Sequence, residues 1–399
     1  MSTYLVLGVG MQGTAAAHDL IQHCGATRLI LADSSEERLN AAEARLRGLT
    51  GFPAIEARLI DVAGADGPLR AAFEEADACM NCLPYRFSVA ITRLALDTDT
   101  HLADLGGNTA VVREQLAMAA AHSRGSEVAV LPDCGLMPGM GNLFIAHAVA
   151  ELGDCTEVRV RCGGLPTEPE GPLDYALLFN VYGLINEYFG RAQVLRGGQV
   201  AELDTFTCLE PVAIDFAGRG LEQRDCEAFI TSGGLSTTPW TFAGRIGELD
   251  YKTVRYEGHH ERFKLLVDLG LLEEQDLLVT PSRVDAPGPV SVAPRDVLAR
   301  CLERTLAYPG TVDLAFLRCS ATATDGRSLE LEMFDVLDEA TGFTAMERAT
   351  AYSATACLFG ALTGKVKIGA GPIEAAVDTT WYLGALAERG IDVRVTAGG

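Results

Sequence analysis

A glycine-rich turn near the start of the chain has the spacing of a phosphate-binding loop. Gly8, Gly10 and Gly13 form a G-x-G-x-x-G pattern directly after a short apolar run, and an Ala-rich stretch follows. An acid, Asp33, ends the next apolar run. This order of strand, glycine turn, helix, strand and acid is typical of a dinucleotide site, because the helix N-terminus offers free N–H groups to the pyrophosphate.

The acid also indicates which dinucleotide binds. Asp33 is placed to accept hydrogen bonds from the 2′- and 3′-hydroxyls of a ribose, and its charge would repel a 2′-phosphate, so the sequence favours NAD over NADP. The first basic residue that follows, Arg38, is expected on the outer face of the second helix. The residues expected to bind NAD are Gly8, Gly10, Met11, Gln12, Gly13, Asp33, Ser34, Asp61, Val62, Cys82, Leu83, Pro84 and Leu105.

The first third of the chain alternates apolar runs with helical segments. Strands are predicted at 3–8, 27–32, 56–61, 77–82, 100–104 and 127–131, with helices near 12–24, 35–47, 67–75, 86–97 and 111–124. This alternation predicts a parallel sheet whose ligands bind beyond the carboxyl ends of the strands. Asp61 and Val62 are expected beside the adenine, and Cys82, Leu83 and Pro84 beside the nicotinamide ribose.

The pattern changes after about residue 140. Strands are predicted at 156–162, 194–206, 227–231, 241–243, 252–256 and 328–336, helices near 141–152, 180–189, 259–269 and 295–306, and a Pro-rich loop at 282–294. Two last helices, at 345–363 and 372–388, are expected to return to the first domain. We therefore predict an α/β protein, with an N-terminal Rossmann parallel sheet (1–135 plus about 345–399) and an inserted α+β mixed-sheet domain (136–344).

Composition excludes several classes of partner. The chain has 399 residues, a net charge of −22 and no basic run, which argues against nucleic acid and anionic membranes as partners. No apolar run reaches the ~20 residues of a membrane span, and the N-terminal apolar segment is interrupted by glycines, as expected of a strand rather than a signal peptide.

The cysteines and the apolar content support three further predictions. The 11 cysteines are an odd number and lie in apolar segments, which indicates reduced thiols and a cytoplasmic protein. Cys79 and Cys82 form a CxxC without a second Cys/His pair at zinc-finger distance, so no metal is predicted. The apolar content and the predicted mixed sheet favour a homodimer or homotetramer.

With these residues in view, the chain resembles the saccharopine dehydrogenase-like family almost end to end, and most of all its lysine 6-dehydrogenase branch. The segments that carry the resemblance are 8–13, 83–85, 101–105, 132–139, 163–166, 172–175, 251–259 and 369–374. The chain departs from that branch at Gly106-Gly107-Asn108, at Glu257, and at Tyr85 with Arg86. Tyr85 and Arg86 are expected near the nicotinamide, so these departures bear on the substrate.

The resemblance implies an NAD-dependent oxidative deamination of the terminal amine of L-lysine, so a lysine-like amino acid is the expected substrate. The products would be NH3, NADH and the 6-semialdehyde, which closes to a cyclic imine. One alternative is a saccharopine-type imine reductase, which needs positive charge for a second carboxylated substrate, available from Arg86, Arg191 or Arg224. Another is an NAD-binding protein without catalysis.

Three residues are predicted to be catalytic. Asp104 ends a strand beside the expected nicotinamide position, where it could bind the substrate ammonium and relay a proton; a loop cap is the alternative. Asp133 lies at the next strand end, with either a catalytic role or a helix-capping role. His259 is the predicted general base, because histidine titrates near neutral pH. A solvated surface position is its alternative.

Five residues are predicted to bind substrate. The alternation of strand 252–256 places Thr253 and Arg255 on one face, where Arg255 could bind a substrate carboxylate bidentately or form a surface salt bridge. The resemblance implies that Tyr175 and Asn180 belong to the substrate loop, although Tyr175 alone is also typical of a core position. Tyr85 is expected at the nicotinamide end, and Cys134 as a small polar wall of the pocket.

Overall fold

A computed structural model of the chain describes residues 2–64, 66–283, 288–369 and 371–399. The first domain is a six-stranded sheet in the order β3-β2-β1-β4-β5-β6 with all neighbours parallel. Its elements are β1 (Ser2–Leu7), α1 (Met11–His23), β2 (Ala26–Asp33), α2 (Glu36–Thr50), β3 (Ile55–Leu59), α3 (Asp66–Glu74), β4 (Ala78–Asn81), α4 (Ser88–Asp97), β5 (His101–Asp104), α5 (Thr109–Ala121) and β6 (Val130–Leu131).

The order of these strands locates the ligand crevice. The central strands β1 and β4 are covered on both faces, and residues 4–7 and 78–81 are all buried, which explains their continuous apolar runs. Successive strands are added outward from β1 in one direction and then from β4 in the other. The crevice between β1 and β4, at the carboxyl ends, is the point where Rossmann sheets bind dinucleotides.

The second domain is a nine-stranded mixed sheet. The strand order is β10-β11-β12-β7-β15-β16-β17, and the β8–β9 hairpin pairs with β12. Strands β7 and β12 are parallel, and the other paired strands of this sheet are antiparallel. Its elements before the chain returns are α6 (Met140–Leu152), β7 (Cys155–Pro166), α7 (Val181–Glu187), β8 (Arg191–Arg196), β9 (Gln199–Asp204), β10 (Glu210–Val212), β11 (Cys226–Ile230), α8 (Thr238–Thr241), β12 (Ile246–Tyr256), α9 (His259–Asp268), β13 (Leu277–Val279), β14 (Val290–Val292), α10 (Pro294–Thr305), β15 (Asp313–Ala323) and β16 (Ser328–Val336).

The last segment of the chain returns to both sheets. It comprises α11 (Ala345–Leu362), α12 (Ile373–Ala376), α13 (Thr379–Glu388) and β17 (Val393–Gly398). Helix α11 packs against α1, β4 and β5 of the first domain. There a buried ion pair of 2.9 Å joins Asp19 Oδ2 to Arg389 Nε. Strand β17 instead pairs with β16 in the second sheet.

The predicted α/β class and its two sheets are confirmed, but several elements differ from the sequence prediction. The strand predicted at 241–243 is wrong, because 238–241 form helix α8 with Pro239 in its first turn. The strand predicted at 194–206 is a hairpin, since Gly197 and Gly198 both take positive φ in a two-residue turn. The helix predicted at 372–388 is two helices, α12 and α13.

Other differences are strands that the sequence did not signal. The 11-residue strand β15 fills the centre of the second sheet, and β14 lies within the predicted Pro-rich loop, of which residues 284–287 are outside the described residues. Within the described ranges, none of the helices combines the length and the apolar character needed to cross a bilayer.

Candidate active site

The glycine turn is built to admit a pyrophosphate. Gly8 has φ +80°, and a Cβ on Gly13 would lie 1.8 Å from the Gly8 carbonyl oxygen, so this contact requires glycine. A Cβ on Gly10 would meet no atom within 4 Å, which leaves open space above the N-terminus of α1, beside Met11. The backbone therefore fits a dinucleotide, whose phosphates need both close approach and free N–H groups.

The adenosine end of this site contains a charge pair. Asp33 Oδ2 accepts a hydrogen bond from the Val9 amide (3.0 Å), and Asp33 Oδ1 accepts one from the Ser35 amide (2.9 Å). Arg38 Nε and Nη2 also donate to Asp33 Oδ1, at 3.1 and 2.7 Å. Arg38 is exposed, as expected of the outer face of α2, but its guanidinium turns back to Asp33. The other residues predicted at this end, Ser34, Asp61 and Val62, are exposed or half-buried after the ends of β2 and β3.

A cleft of about 950 Å³ continues from this edge and is lined by both domains. The predicted cofactor residues in its lining are Gln12, Cys82, Leu83, Pro84 and Leu105. The predicted substrate residues in its lining are Tyr85, Asn180 and Arg255. Asn180 also caps α7, because its side-chain oxygen accepts a hydrogen bond from the Tyr182 amide (2.9 Å).

Asp104 lies beneath the floor of the cleft and outside its lining. Its Oδ2 accepts a hydrogen bond from Gln115 Nε2 (2.6 Å), and its Oδ1 accepts from the amides of Gly106 (2.8 Å) and Asp133 (3.2 Å). These hydrogen bonds hold the loop after β5 to the loop after β6. Gly106, in the first of these loops, is part of the cleft lining. The contacts therefore support a positioning role for Asp104, and its role in proton relay stays a prediction.

Asp133 and Cys134 are buried beside Asp104. The Ser236 hydroxyl, on the second domain, donates to Asp133 Oδ2, whereas Oδ1 has no partner among the described residues. Burial, with the charges of Asp104 and Glu374, raises the pKa of Asp133 to about 8. Burial also raises the pKa of the Cys134 thiol far above its ordinary value, so the thiol is neutral. Neither side chain reaches the described lining of the cleft.

The charge inside the cleft is that of Arg255, whose side chain is only 2% exposed. Its Nε donates to the Tyr188 hydroxyl (2.8 Å), its Nη1 to the Val254 carbonyl (2.9 Å), and its Nη2 contacts Glu187 Oε2 at 3.5 Å. The guanidinium carbon lies 4.7 Å from the ring centroid of Tyr175. Tyr175 thus supports Arg255 by a cation–π contact, and its own hydroxyl has no partner among the described residues.

His259 is buried behind Arg255, outside the described lining. Its Nδ1 lies 2.9 Å from the Leu173 carbonyl, which can only accept, so Nδ1 carries the proton and Nε2 accepts from the Tyr188 hydroxyl (3.0 Å). Burial and the nearby Arg255 lower the pKa of His259 to about 3. A neutral ring with both nitrogens bonded supports a positioning role, through Tyr188, rather than the predicted general-base role.

Sequence reasoning missed two residues of this site, Glu187 and Tyr188. Both lie in the last turn of the predicted helix 180–189, and no motif marks them. What could have indicated them is their sequence separation from Asn180, which places them two turns further along the same predicted helix. Of the three arginines considered for a second carboxylate, Arg86 and Arg191 line the cleft, whereas Arg224 pairs with Glu168 and Glu222 elsewhere. No cluster of three or more metal-ligating side chains occurs in the described part of the chain.

A Rossmann sheet, an open phosphate turn and a cleft lined by a second domain are the features of a two-domain dinucleotide-binding protein. The family model for the saccharopine dehydrogenase NADP binding domain matches residues 4–130, and that for the saccharopine dehydrogenase C-terminal domain matches residues 135–391. The chain belongs to the saccharopine dehydrogenase family.

Curated relatives agree with this assignment. The chain is 23% identical over 283 residues to a saccharopine dehydrogenase (NADP(+), L-glutamate-forming) of Schizosaccharomyces pombe, covering 69% of this chain and 59% of that protein. It is 22% identical over 221 residues to the Saccharomyces cerevisiae protein of the same name, covering 52% and 47%. The chain thus spans about half the length of the curated relatives it matches.

Two solved structures share the fold. Apo saccharopine dehydrogenase (L-Glu forming) from Saccharomyces cerevisiae superposes with a TM-score of 0.73 at 18% identity, covering all of both chains. Homospermidine synthase from Legionella pneumophila, in complex with NAD, superposes with a TM-score of 0.63 at 11% identity, covering 100% of this chain and 91% of that one. At these identities the likeness concerns the fold alone.

The charge pair at the adenosine end makes a prediction about cofactor affinity. Arg38→Ala is expected to weaken NADPH binding about tenfold, because a guanidinium that can contact a 2′-phosphate is lost, and to leave NADH binding unchanged. Asp33→Ala is expected to weaken NADH more than NADPH. Dissociation constants measured by titration calorimetry test both. Arg28→Ala, at the opposite end of β2, is the control, and equal losses of both cofactors in Arg38→Ala would contradict the assignment.

The raised pKa of Asp133 makes a prediction about stability. Because its folded-state pKa of about 8 exceeds the unfolded value of ~3.9, the folded state binds more protons between these pH values. The free energy of unfolding therefore falls by up to about 1.4 kcal/mol per pH unit as the pH rises through this window. Asp133→Asn lacks this titration. We therefore expect the Tm of the variant minus the Tm of the wild type to increase from pH 5 to pH 8.

Thermal unfolding at pH 5, 6.5 and 8 measures this difference. Asn tolerates the positive φ of position 133 (+63°) and can still accept from Ser236. Asp268→Asn, at an exposed helix position, is the matched control. A Tm difference that stays constant across the three pH values would show that Asp133 is ionised in the folded protein.

Proposed function

We propose that this protein is a nicotinamide-dependent oxidoreductase of the saccharopine type. It would interconvert a secondary amine that joins two amino-acid skeletons with the imine formed from an aldehyde and an amino group. The observation that carries the proposal is the buried Arg255 guanidinium inside a cleft of about 950 Å³, which has room for more than one small carboxylated reactant. Family membership supports the same class of reaction.

The proposed cofactor is NAD, bound over the glycine turn with its ribose at Asp33. Arg38 makes NADP a second candidate ligand of the same subsite, because a guanidinium that turns from Asp33 would bind a 2′-phosphate. When bound, the dinucleotide supplies hydride transfer at its nicotinamide ring. The residues Gln12, Cys82, Leu83, Pro84 and Leu105 would hold the nicotinamide half against the cleft.

The chain's own residues would bind and orient the substrate. Arg255 would donate two hydrogen bonds to one substrate carboxylate, with its guanidinium already fixed by Tyr188 and, behind it, His259. Arg86, exposed at the same cleft and stacked over Phe87 at 4.7 Å, is the proposed site of a second carboxylate. In the described part of the chain, no carboxylate forms an ion pair with Arg86, so its charge is available.

Oxidative deamination of the terminal amine of L-lysine is the second candidate. The observation that favours it is the Arg255–Glu187 pair, since a guanidinium beside a carboxylate matches the carboxylate and ammonium of one α-amino acid. In this case the side chain of lysine would extend toward the nicotinamide. A cytoplasmic homodimer or homotetramer that acts on a small amino-acid substrate stays a prediction from composition and resemblance.

A substrate panel distinguishes the two candidates. The saccharopine-type proposal predicts cofactor oxidation with 2-aminoadipate semialdehyde plus glutamate, and little cofactor reduction with lysine alone. Arg255→Lys is expected to lower kcat/KM by about 100-fold, because the bidentate contact and the bond to Tyr188 are lost. Arg224→Lys, outside the cleft, is the control. Rapid NADH formation with lysine would instead establish the deaminase, and silence across the panel with both cofactors would contradict catalysis.

A further inference from the structure

We propose that Glu187 is the proton-transfer group of this cleft, moving protons between water and the substrate nitrogen. The inference rests on the proposed function, since it concerns the hydrolytic half of that reaction. Glu187 is the last residue of α7, and its side chain is 25% exposed and lies in the lining of the cleft. It can therefore contact substrate, unlike Asp104, Asp133 and His259.

The position of Glu187 is fixed by its neighbours. Its backbone carbonyl accepts a hydrogen bond from the Ser232 amide (2.8 Å), which ties the end of α7 to the segment after β11. Its Oε2 lies 3.5 Å from Arg255 Nη2, a long contact that leaves the carboxylate able to bind water or substrate. The proposed carboxylate anchor and the proposed proton carrier are thus adjacent.

Other ionisable groups of the described lining are less suited to this task. Burial raises the pKa of the Cys82 thiol to about 12, and it raises the pKa values of Cys162 and Tyr251 as well, so these groups stay protonated near neutral pH. The other carboxylate of the described lining, Glu274, is 68% exposed and forms an ion pair with Arg295. The described lining contains no histidine.

The electrostatic surroundings of Glu187 suit a group that exchanges protons near neutral pH. Burial raises its pKa to about 7, and the positive charge of Arg255 limits that rise. The other titratable groups that face it are the thiol of Cys162 and the hydroxyls of Tyr175, Tyr188 and Tyr251. Burial raises the pKa of each, so all four are neutral and Arg255 supplies the charge.

The proton balance can be written for the direction that forms aldehyde and amine. Hydride transfer from the substrate carbon, starting from the neutral amine, to the bound dinucleotide would leave a protonated imine. The oxygen of a water molecule bonds to the imine carbon while one water proton passes to the Glu187 carboxylate. Glu187 then donates this proton to the nitrogen. The C–N bond breaks, with its electron pair going to nitrogen. The remaining O–H becomes C=O as its proton returns to Glu187. Release of that proton to solvent restores the carboxylate.

This cycle requires opposite protonation states in the two directions. Oxidation begins with ionised Glu187, so its kcat/KM is expected to rise with pH through about 7. Imine formation followed by reduction begins with protonated Glu187, so its kcat/KM is expected to fall through the same pH. In Glu187→Gln we expect kcat to fall about 100-fold, and both pH-dependent limbs, the rise in kcat/KM for oxidation and its fall for reduction, to disappear. Glu187→Asp is expected to keep both limbs at a reduced rate. Glu274→Gln is the matched control.

The measurement is the pH dependence of kcat/KM in both directions for these variants, with the cofactor dissociation constant as a check on folding. Limbs of the pH profile that persist in Glu187→Gln overturn the proposal. If KM alone rises in this variant while kcat and the limbs are unchanged, Glu187 binds the substrate ammonium and does not transfer protons. A wild-type protein that turns over neither substrate set refutes the proposed function itself. Turnover by the wild type with limbs unaltered in the variant refutes the role of Glu187 alone.

Discussion

The candidate site depends on the burial of one guanidinium. Arg255 is almost without contact with solvent, and a buried charge is tolerated only when hydrogen bonds and opposite charge replace the lost water. Tyr188, the Val254 carbonyl and Glu187 provide these, while His259 stays neutral and orients the Tyr188 hydroxyl. An arginine held in this way loses little conformational entropy when a carboxylate binds, because its geometry is set before the ligand arrives.

The first domain could be predicted from sequence because its signals are local. The buried run of β1, the glycines of the turn and the acid at Asp33 all lie within residues 4–33, and together they predict one structure. The second domain lacks such signals. Strand β15 pairs with β7, more than 140 residues earlier in the chain, and no local pattern indicates that partner. The sequence predicts one strand over 194–206, whereas Gly197 and Gly198 divide it into hairpin β8–β9.

The same distinction applies to the site residues. Tyr85, Asn180 and Arg255 line the cleft. Tyr85 is predicted there from a strand end and Arg255 from strand alternation, whereas the prediction for Asn180 depends on the family resemblance. For Asp104 and His259 the residue type suggested chemistry, but burial and partners decide what such a group can do, and both come from segments distant in sequence. His259 meets Leu173 and Tyr188, which the chain brings from 86 and 71 residues away. Sequence spacing alone could not show that these contacts occupy both ring nitrogens.

Two carboxyl groups set opposite limits on the pH at which the cleft can work. In the proposed reaction, oxidation begins with ionised Glu187, which favours pH values above about 7. Asp133, whose pKa is about 8, joins the first domain to Ser236 of the second, and it lies near the buried carboxyls of Asp104 and Glu374. Its ionisation would place a charge between the domains without a counter-ion, and would weaken the junction that carries Gly233 and Gly234 to the cleft. A rise in pH therefore favours the proposed proton acceptor and at the same time disfavours the junction between the two domains.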